Sequence, residues 1–229
     1  MARRRSFFSK LLRGVVLAGF AVAGLFVALL VLWAFVPPVS TLMLARTLTL
    51  RPYERTYVPL DKISPALTAA VIASEDATFC QNHGVDWDAL REVLDNAGEG
   101  GPSRGASTLT MQTAKNLFLW PGRSSIRKGI EIGMALVLGQ VWPKRRTIEV
   151  YLNIAEWGDG IFGAEAAAQR YFGKSAAALD AREATLLATS LPNPIKRNPA
   201  KPAPFQRRLA AALQARAYDD AEAMRCLGR

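Results

Sequence analysis

Ser74–Gly84 reads S-E-D-A-T-F-C-Q-N-H-G. It follows the apolar run Leu67–Ala73, whose spacing predicts a helix, and it delivers two adjacent carboxylates, Glu75 and Asp76, where that run ends. The chain's one histidine, His83, and then Gly84 close the stretch. Acids at the end of a buried segment are costly to ionise unless partners or chemistry compensate them. Taken alone, the pattern equally describes a helix C-terminus running into a turn, with both carboxylates solvated or paired to arginines. The sequence around it decides between the two.

Downstream and upstream of this stretch the periodicity is helical from Asp61 onward. Ser64-Pro65 supplies a cap and a proline at the first helical position. Val85–Ala97 reads as a short helix, Gly98–Gly105 as a loop and Ser107–Phe118 as another helix. Ser124 or Ser125 caps a long helix to about Trp142, ended by Pro143, with Ile126, Ile130, Met134, Val137 and Val141 along one apolar stripe. Thr147–Ala155, Ile161–Tyr171, Ala176–Ser190 and Phe205–Leu227 complete the set. No run alternates as strands do, so the expected fold class is mainly α.

Three features bear on chemistry. Arg104–Gln112, R-G-A-S-T-L-T-M-Q, puts Ser107 and Thr108 where a helix N-terminus offers free N–H groups, a ready anion site; the plainer reading is an ordinary N-cap. Lys115, Arg123, Arg127 and Lys128 then concentrate positive charge. Arg127 and Glu131 are four apart and share a helix face, which is also the spacing of a surface ion pair worth a few tenths of a kcal/mol. Cations in excess of the acids are what a pyrophosphate leaving group requires as its charge builds. Glu75 and Glu131 would thus be two carboxylates in unlike settings, the usual equipment of glycosidic chemistry. If the attacking group is a sugar hydroxyl and the leaving group a pyrophosphate, the reaction is glycosyl transfer rather than hydrolysis, and the cations, with a divalent Mg or Mn ion as a further assistant, would stabilise the leaving group.

The N-terminal end has a different character. Of the formal charge of +10, five units (Arg3, Arg4, Arg5, Lys10, Arg13) precede Gly14, and Gly14–Val36 then runs without a charge. That length suits a hydrocarbon core of about 30 Å, it exceeds a signal-peptide h-region, and the basic flank marks a cytoplasmic N-terminus. The expected organisation is a basic tail (1–13), a transmembrane helix (14–36), a stalk (37–60) and a domain (61–229). The excess of positive charge suits anionic lipid or a phosphate-bearing ligand. Cys80 and Cys226 have no metal-ligand spacing and are expected as two unpaired, partly buried thiols.

Together, E-D-A-T-F-C-Q-N-H-G, G-A-S-T-L-T-M-Q with K-N-L-F-L, R-K-G-I-E, Y-L-N-I-A-E-W-G-D-G-I-F-G-A-E-A-A-A-Q-R-Y-F-G and L-L-A-T-S-L-P-N-P-I-K-R-N-P resemble the ordered motif set of the family 51 peptidoglycan glycosyltransferases. The resemblance covers about Asp61–Pro199, with Ala106 where a second glycine is usual and Met111 where a glutamine often stands. It implies a lysozyme-like glycosyltransferase domain with a smaller, membrane-associated lobe. The activity it implies is polymerisation of lipid II into glycan strands in cell-wall biosynthesis, with inversion at the anomeric carbon and release of undecaprenyl pyrophosphate. Carried over by motif, Glu75 is the base, Asp76 its supporting partner at the substrate site, and Glu131 the second glutamate, near the donor pyrophosphate. Ser107, Thr108, Gln112, Lys115, Arg123 and Arg127 line the donor site; Phe79 and His83 shape the first motif, and Asn153 fits a structural position.

The 30 residues after Pro199 leave no space for a transpeptidase domain, which resembles the monofunctional branch of the family. No tightly bound cofactor, no protein metal site and no nucleic acid are expected. The implied partners are lipid II, the growing strand, membrane lipid and other wall-synthesis or division proteins. The implied location is the bacterial inner membrane, single-pass, with the catalytic domain periplasmic. A membrane-anchored hydrolase or lytic enzyme, and an idle scaffold that binds lipid-linked precursor, are the competing readings.

Overall fold

The computed structural model describes residues 2–95, 105–122 and 124–228. The chain divides into two compact units, 1–37 and 38–229. The first is a single helix, α1 (Ala2–Phe35), whose Lys10–Phe35 portion is long and apolar enough to cross a membrane.

The second unit is mainly α-helical: α2 (Thr41–Leu48), α3 (Pro65–Glu75), α4 (Trp87–Asp95), α5 (Leu109–Phe118), α6 (Ser125–Val141), α7 (Lys144–Ile154), α8 (Ala164–Phe172), α9 (Ala181–Ala188) and α10 (Pro204–Asp219). Helix α3 is its centre. Leu67, Ala70, Val71 and Ile72 are fully buried, and α9, α10 and the 3₁₀ turn Asp220–Leu227 pack around it. A helix enclosed this way needs apolar side chains nearly all round, and α3 has them up to Ala73 except at Thr68, whose hydroxyl bonds back to Ser64 O at 3.3 Å. The core continues through Phe79, Ile148, Tyr151, Leu152 and Trp157.

Several expectations are corrected. Residues 38–60 are not a free stalk. Met43 of α2 is buried, Thr41 Oγ1 donates to Leu119 O at 2.7 Å, and Arg46 pairs with Glu156 at 3.1 Å and with Asp159. Three short strands are present, β1 (Glu54–Arg55), β2 (Glu156–Gly158) and β3 (Ile161–Phe162), in the order β1-β3-β2, with β1 parallel and β2 antiparallel to β3. Strands of two or three residues are too short to show alternation. Ala176–Ser190 is broken at Asp180, whose side chain accepts the Glu183 N–H in a capping box, so α9 starts afresh. The part of the Gly98–Gly105 loop from 98 to 104 lies outside the described residues.

The cysteines are paired: Cys80 and Cys226 form a disulfide with Cα atoms 5.6 Å apart. The 3₁₀ turn Asp220–Leu227 packs on α3 and brings Cys226 to the loop that follows it. A separation of 146 residues carries no local geometry from which that could be read.

The apolar stripe of α6 faces outward. Ile126 is 80% exposed and Val141 51%, with Ile130 and Val137 also exposed, whereas Arg127, Glu131, Ala135 and Leu138 are buried. With exposed Trp120 nearby in the chain, this is an apolar surface on a helix whose inner face is polar at Arg127 and Glu131 and apolar at Ala135 and Leu138.

Candidate functional site

The buried end of α3 places Glu75 as its last helical residue and Asp76 as its C-cap. Asp76 is buried and both its oxygens are engaged: Oδ2 accepts the Leu109 N–H at 2.9 Å and Oδ1 accepts from Asn82 Nδ2 at 2.9 Å. Leu109 is the first residue of α5, so the anion at that helix N-terminus is Asp76 itself. Thr108 completes the cap: its Oγ1 accepts the Met111 N–H at 3.1 Å and donates to Gly84 O at 2.6 Å. The expected anion site at Ser107–Thr108 is thereby filled from within the protein. Burial pushes the Asp76 carboxyl up, against the Leu109 N–H, Asn82 and the nearby Lys144 ammonium. Lys144 also lies over the buried Phe79 ring at 4.5 Å and donates to Asn82 Oδ1 at 3.2 Å.

The same loop is pressed onto α6. Gly84 has φ +104°, and a Cβ there would stand 2.3 Å from Ala135 O; a Cβ on Gly139 would stand 2.7 Å from His83 O. Two glycines facing each other let the first-motif loop meet the backbone of the helix that carries Glu131. His83 itself is exposed and contributes its carbonyl to that contact.

Glu75 is half-buried. Its Oε2 accepts from Gln112 Nε2 at 2.9 Å, and Ser74 Oγ lies 3.3 Å from Oε1. Burial raises its pKa above the ordinary glutamate range, opposed by Gln112, Ser74, Lys115 and Arg197. A carboxylate held in this way is fitted to accept a proton. It opens on a cavity of about 630 Å³ lined also by Asp76, Thr78, Asp86, Ser107 and Arg216.

Glu131 has the opposite surroundings. It is 2% exposed, with Arg127 Nη1 at 3.0 Å from Oε2 and Lys128 Nζ at 2.7 Å from Oε1. Lys128 Nζ also donates to Ser107 Oγ at 2.6 Å, and Ser124 Oγ caps α6 through the Arg127 N–H. The pair is therefore buried, not a surface i,i+4 bridge. Lys115 of α5 joins the two glutamates: burial lowers its pKa, and it interacts with Glu131, Arg127, Lys128 and Glu75. Arg127 Nε has no hydrogen-bond partner among the described residues. Arg123 lies outside them.

The transglycosylase family model matches residues 42–217, which contain every residue of this arrangement. The chain belongs to the transglycosylase family. Across its length the transglycosylase is 55% identical to the biosynthetic peptidoglycan transglycosylase of Rhodospirillum centenum, covering 92% of both chains. It is 53% identical to that of Rhodopseudomonas palustris, over 91% of this chain and 89% of the relative. For Brucella suis the figure is 50%, over 93% and 95%.

The fold adds Arg197, Lys144 and Tyr151 to the surroundings of the candidate site and gives Lys128 a specific place in it. Lys128 was one cation in a cluster, and only the fold aims it at Glu131. Arg197, in the proline-rich turn 191–204, reaches the field of Glu75 while donating to Thr189 O at 2.7 Å. Lys144 lies beside Asp76, and the buried Tyr151 hydroxyl is 3.1 Å from Gln112 Oε1. Asn153 is structural as expected: fully buried, it exchanges hydrogen bonds with the Val58 backbone at 2.9 and 2.8 Å.

Proposed function

We propose that this peptidoglycan transglycosylase of cell-wall synthesis polymerises lipid II into glycan strands, with inversion at the anomeric carbon and release of undecaprenyl pyrophosphate. The observation that carries this reading is the pair of glutamates in opposed environments, Glu75 facing an open cavity and Glu131 locked among cations, with Lys115 between them. Glu75 takes the proton from the acceptor's 4-hydroxyl as that oxygen attacks the anomeric carbon of the donor. The bond from that carbon to the phosphate oxygen breaks on the opposite face, and the electron pair leaves on the pyrophosphate. Lys115, Lys128, Arg123 and Arg127 meet the developing charge, with Ser107 and Gln112 lining the donor side. Glu131 holds Arg127 and Lys128 in place. Asp76 and Thr108 act through α5, whose N-terminus they fix.

A divalent ion does not suit the Glu131 carboxylate, because each of its oxygens already accepts from a cation and a dication would face both positive side chains. Any Mg or Mn ion would arrive on the substrate's pyrophosphate. The Cys80–Cys226 disulfide supports a domain outside the cytoplasm, in the periplasm, and the outward apolar stripe of α6 supports a lobe that rests in lipid.

The test is incubation of the purified full chain in detergent with labelled lipid II, followed by separation by size. A ladder of glycan polymer is expected. Unchanged lipid II that is nevertheless bound would mean a scaffold, and shortening of preformed glycan would mean a hydrolytic or lytic enzyme.

A further inference from the structure

Tyr151 lies on α7, 1% exposed, in the core beneath the catalytic cleft. Its hydroxyl is 3.1 Å from Gln112 Oε1, and Gln112 Nε2 is 2.9 Å from Glu75 Oε2. A side-chain amide presents oxygen on one side and NH₂ on the other, and its neighbours decide which way round it sits. An ionised Glu75 can only accept, so Gln112 must turn its NH₂ toward it and its oxygen toward Tyr151. The phenol donates to that oxygen. Burial and the Glu75 charge both push the Tyr151 pKa well above the ordinary phenol value, so the hydroxyl keeps the proton it donates. If Glu75 were protonated, a reversed amide could accept from the acid, but its NH₂ would then face the phenol oxygen and the buried phenol proton would lose the acceptor it has in Gln112 Oε1.

We propose that Tyr151 is a positioning residue for the transfer reaction: its buried hydroxyl fixes the Gln112 amide in the orientation that favours the ionised form of Glu75. This rests on the reading of Glu75 as the base. The other polar groups that act on Glu75 are Ser74 beside it, Lys115 on α5 and Arg197 in the proline-rich turn, with Arg216 of α10 lining the same cavity. Tyr151 differs from them in acting only through Gln112.

The measurement is the pH profile of kcat/KM on lipid II for the full chain in detergent, wild type against Tyr151→Phe. Without the hydroxyl the amide loses its bias and the ionised base is less favoured, so the acid limb moves to higher pH. At a pH on the wild-type acid limb the variant is expected to lose at least about threefold in kcat/KM, and less than about twofold on the alkaline plateau. In a Gln112→Leu background, Tyr151→Phe should leave the limb where it is, since the mediating amide is gone. An equal loss at every pH would overturn the proposal and leave Tyr151 a packing residue, as would a limb shift that persists without Gln112. An unchanged profile would overturn it too. Infrared titration of the Glu75 carboxylate in both proteins gives the same answer without turnover, should the variant be too slow to assay. Glu75→Gln, run alongside, separates the two readings: substantial polymerisation by that variant removes the base assignment itself, whatever Tyr151→Phe does.

Discussion

Replacing Arg127 by methionine distinguishes a buried ionic framework from a surface bridge by an order of magnitude. A solvent-exposed i,i+4 pair is worth about 0.3–0.5 kcal/mol, whereas removing one partner of a buried pair costs about 3–5 kcal/mol because the other charge is left in low dielectric. Here the side chains of Arg127 and Glu131 are 10% and 2% exposed, so the second regime applies. Lys128 remains on Glu131 at 2.7 Å, which puts the expected loss at the lower end, about 3 kcal/mol. For a domain of this size that is a fall of about 6–12 °C in the unfolding midpoint. The assay is thermal unfolding of the full chain in detergent at one scan rate, followed by far-UV circular dichroism. The double replacement Arg127→Met with Glu131→Leu should lose less than Arg127→Met alone, since no buried charge is then stranded. A fall below about 2 °C for Arg127→Met would refute the buried-pair reasoning.

Glu75→Gln should stabilise the protein at neutral pH. Burial raises the folded-state pKa of Glu75, so between the ordinary glutamate value and that raised value the folded chain keeps a proton the unfolded chain releases, and stability falls as pH rises through the window. The amide avoids that loss, so the midpoint gain of the variant over wild type should be present at pH 8 and shrink on acidification; a constant difference would contradict it. Reduction of Cys80–Cys226, which spans 146 residues, should lower unfolding free energy by up to about 5 kcal/mol on loop-closure grounds, read as a urea midpoint that shifts with reductant in wild type but not in Cys80→Ser/Cys226→Ser. A polarity-sensitive probe on Val137→Cys should report an apolar setting in proteoliposomes, and one on exposed Arg91→Cys of α4 an aqueous setting; two aqueous signals would place the α6 stripe in water.

The helices were legible because their signals are local: Ser64-Pro65 starts α3, Ser124 caps α6 and Pro143 separates α6 from α7. Glu75 and Glu131 could be singled out because motif and charge mark them. What sequence could not give is direction and distance. The α6 periodicity is real, but a period of 3.6 says only that apolar residues share a face, not whether protein interior or another apolar medium lies against it. Arg127 and Glu131 of the site take the first half of the inner face instead, followed by Ala135 and Leu138. Asp76, read as the supporting partner of Glu75 at the substrate site, has both oxygens engaged by Leu109 and Asn82, because the loop folds back onto a helix that begins 33 residues later. The disulfide and the Tyr151–Gln112–Glu75 chain likewise join segments far apart in sequence. Each requires the fold before it can be seen.

The most direct test of the central claim compares Glu75→Gln with wild type in two assays on the same preparation, equilibrium binding of lipid II and its polymerisation. Deleting only the base should leave lipid II affinity within a few-fold of wild type and lower the polymerisation rate by at least about a hundredfold. Polymerisation within about tenfold of wild type would contradict the account, because the proton would then be leaving the acceptor by a route that does not pass through Glu75.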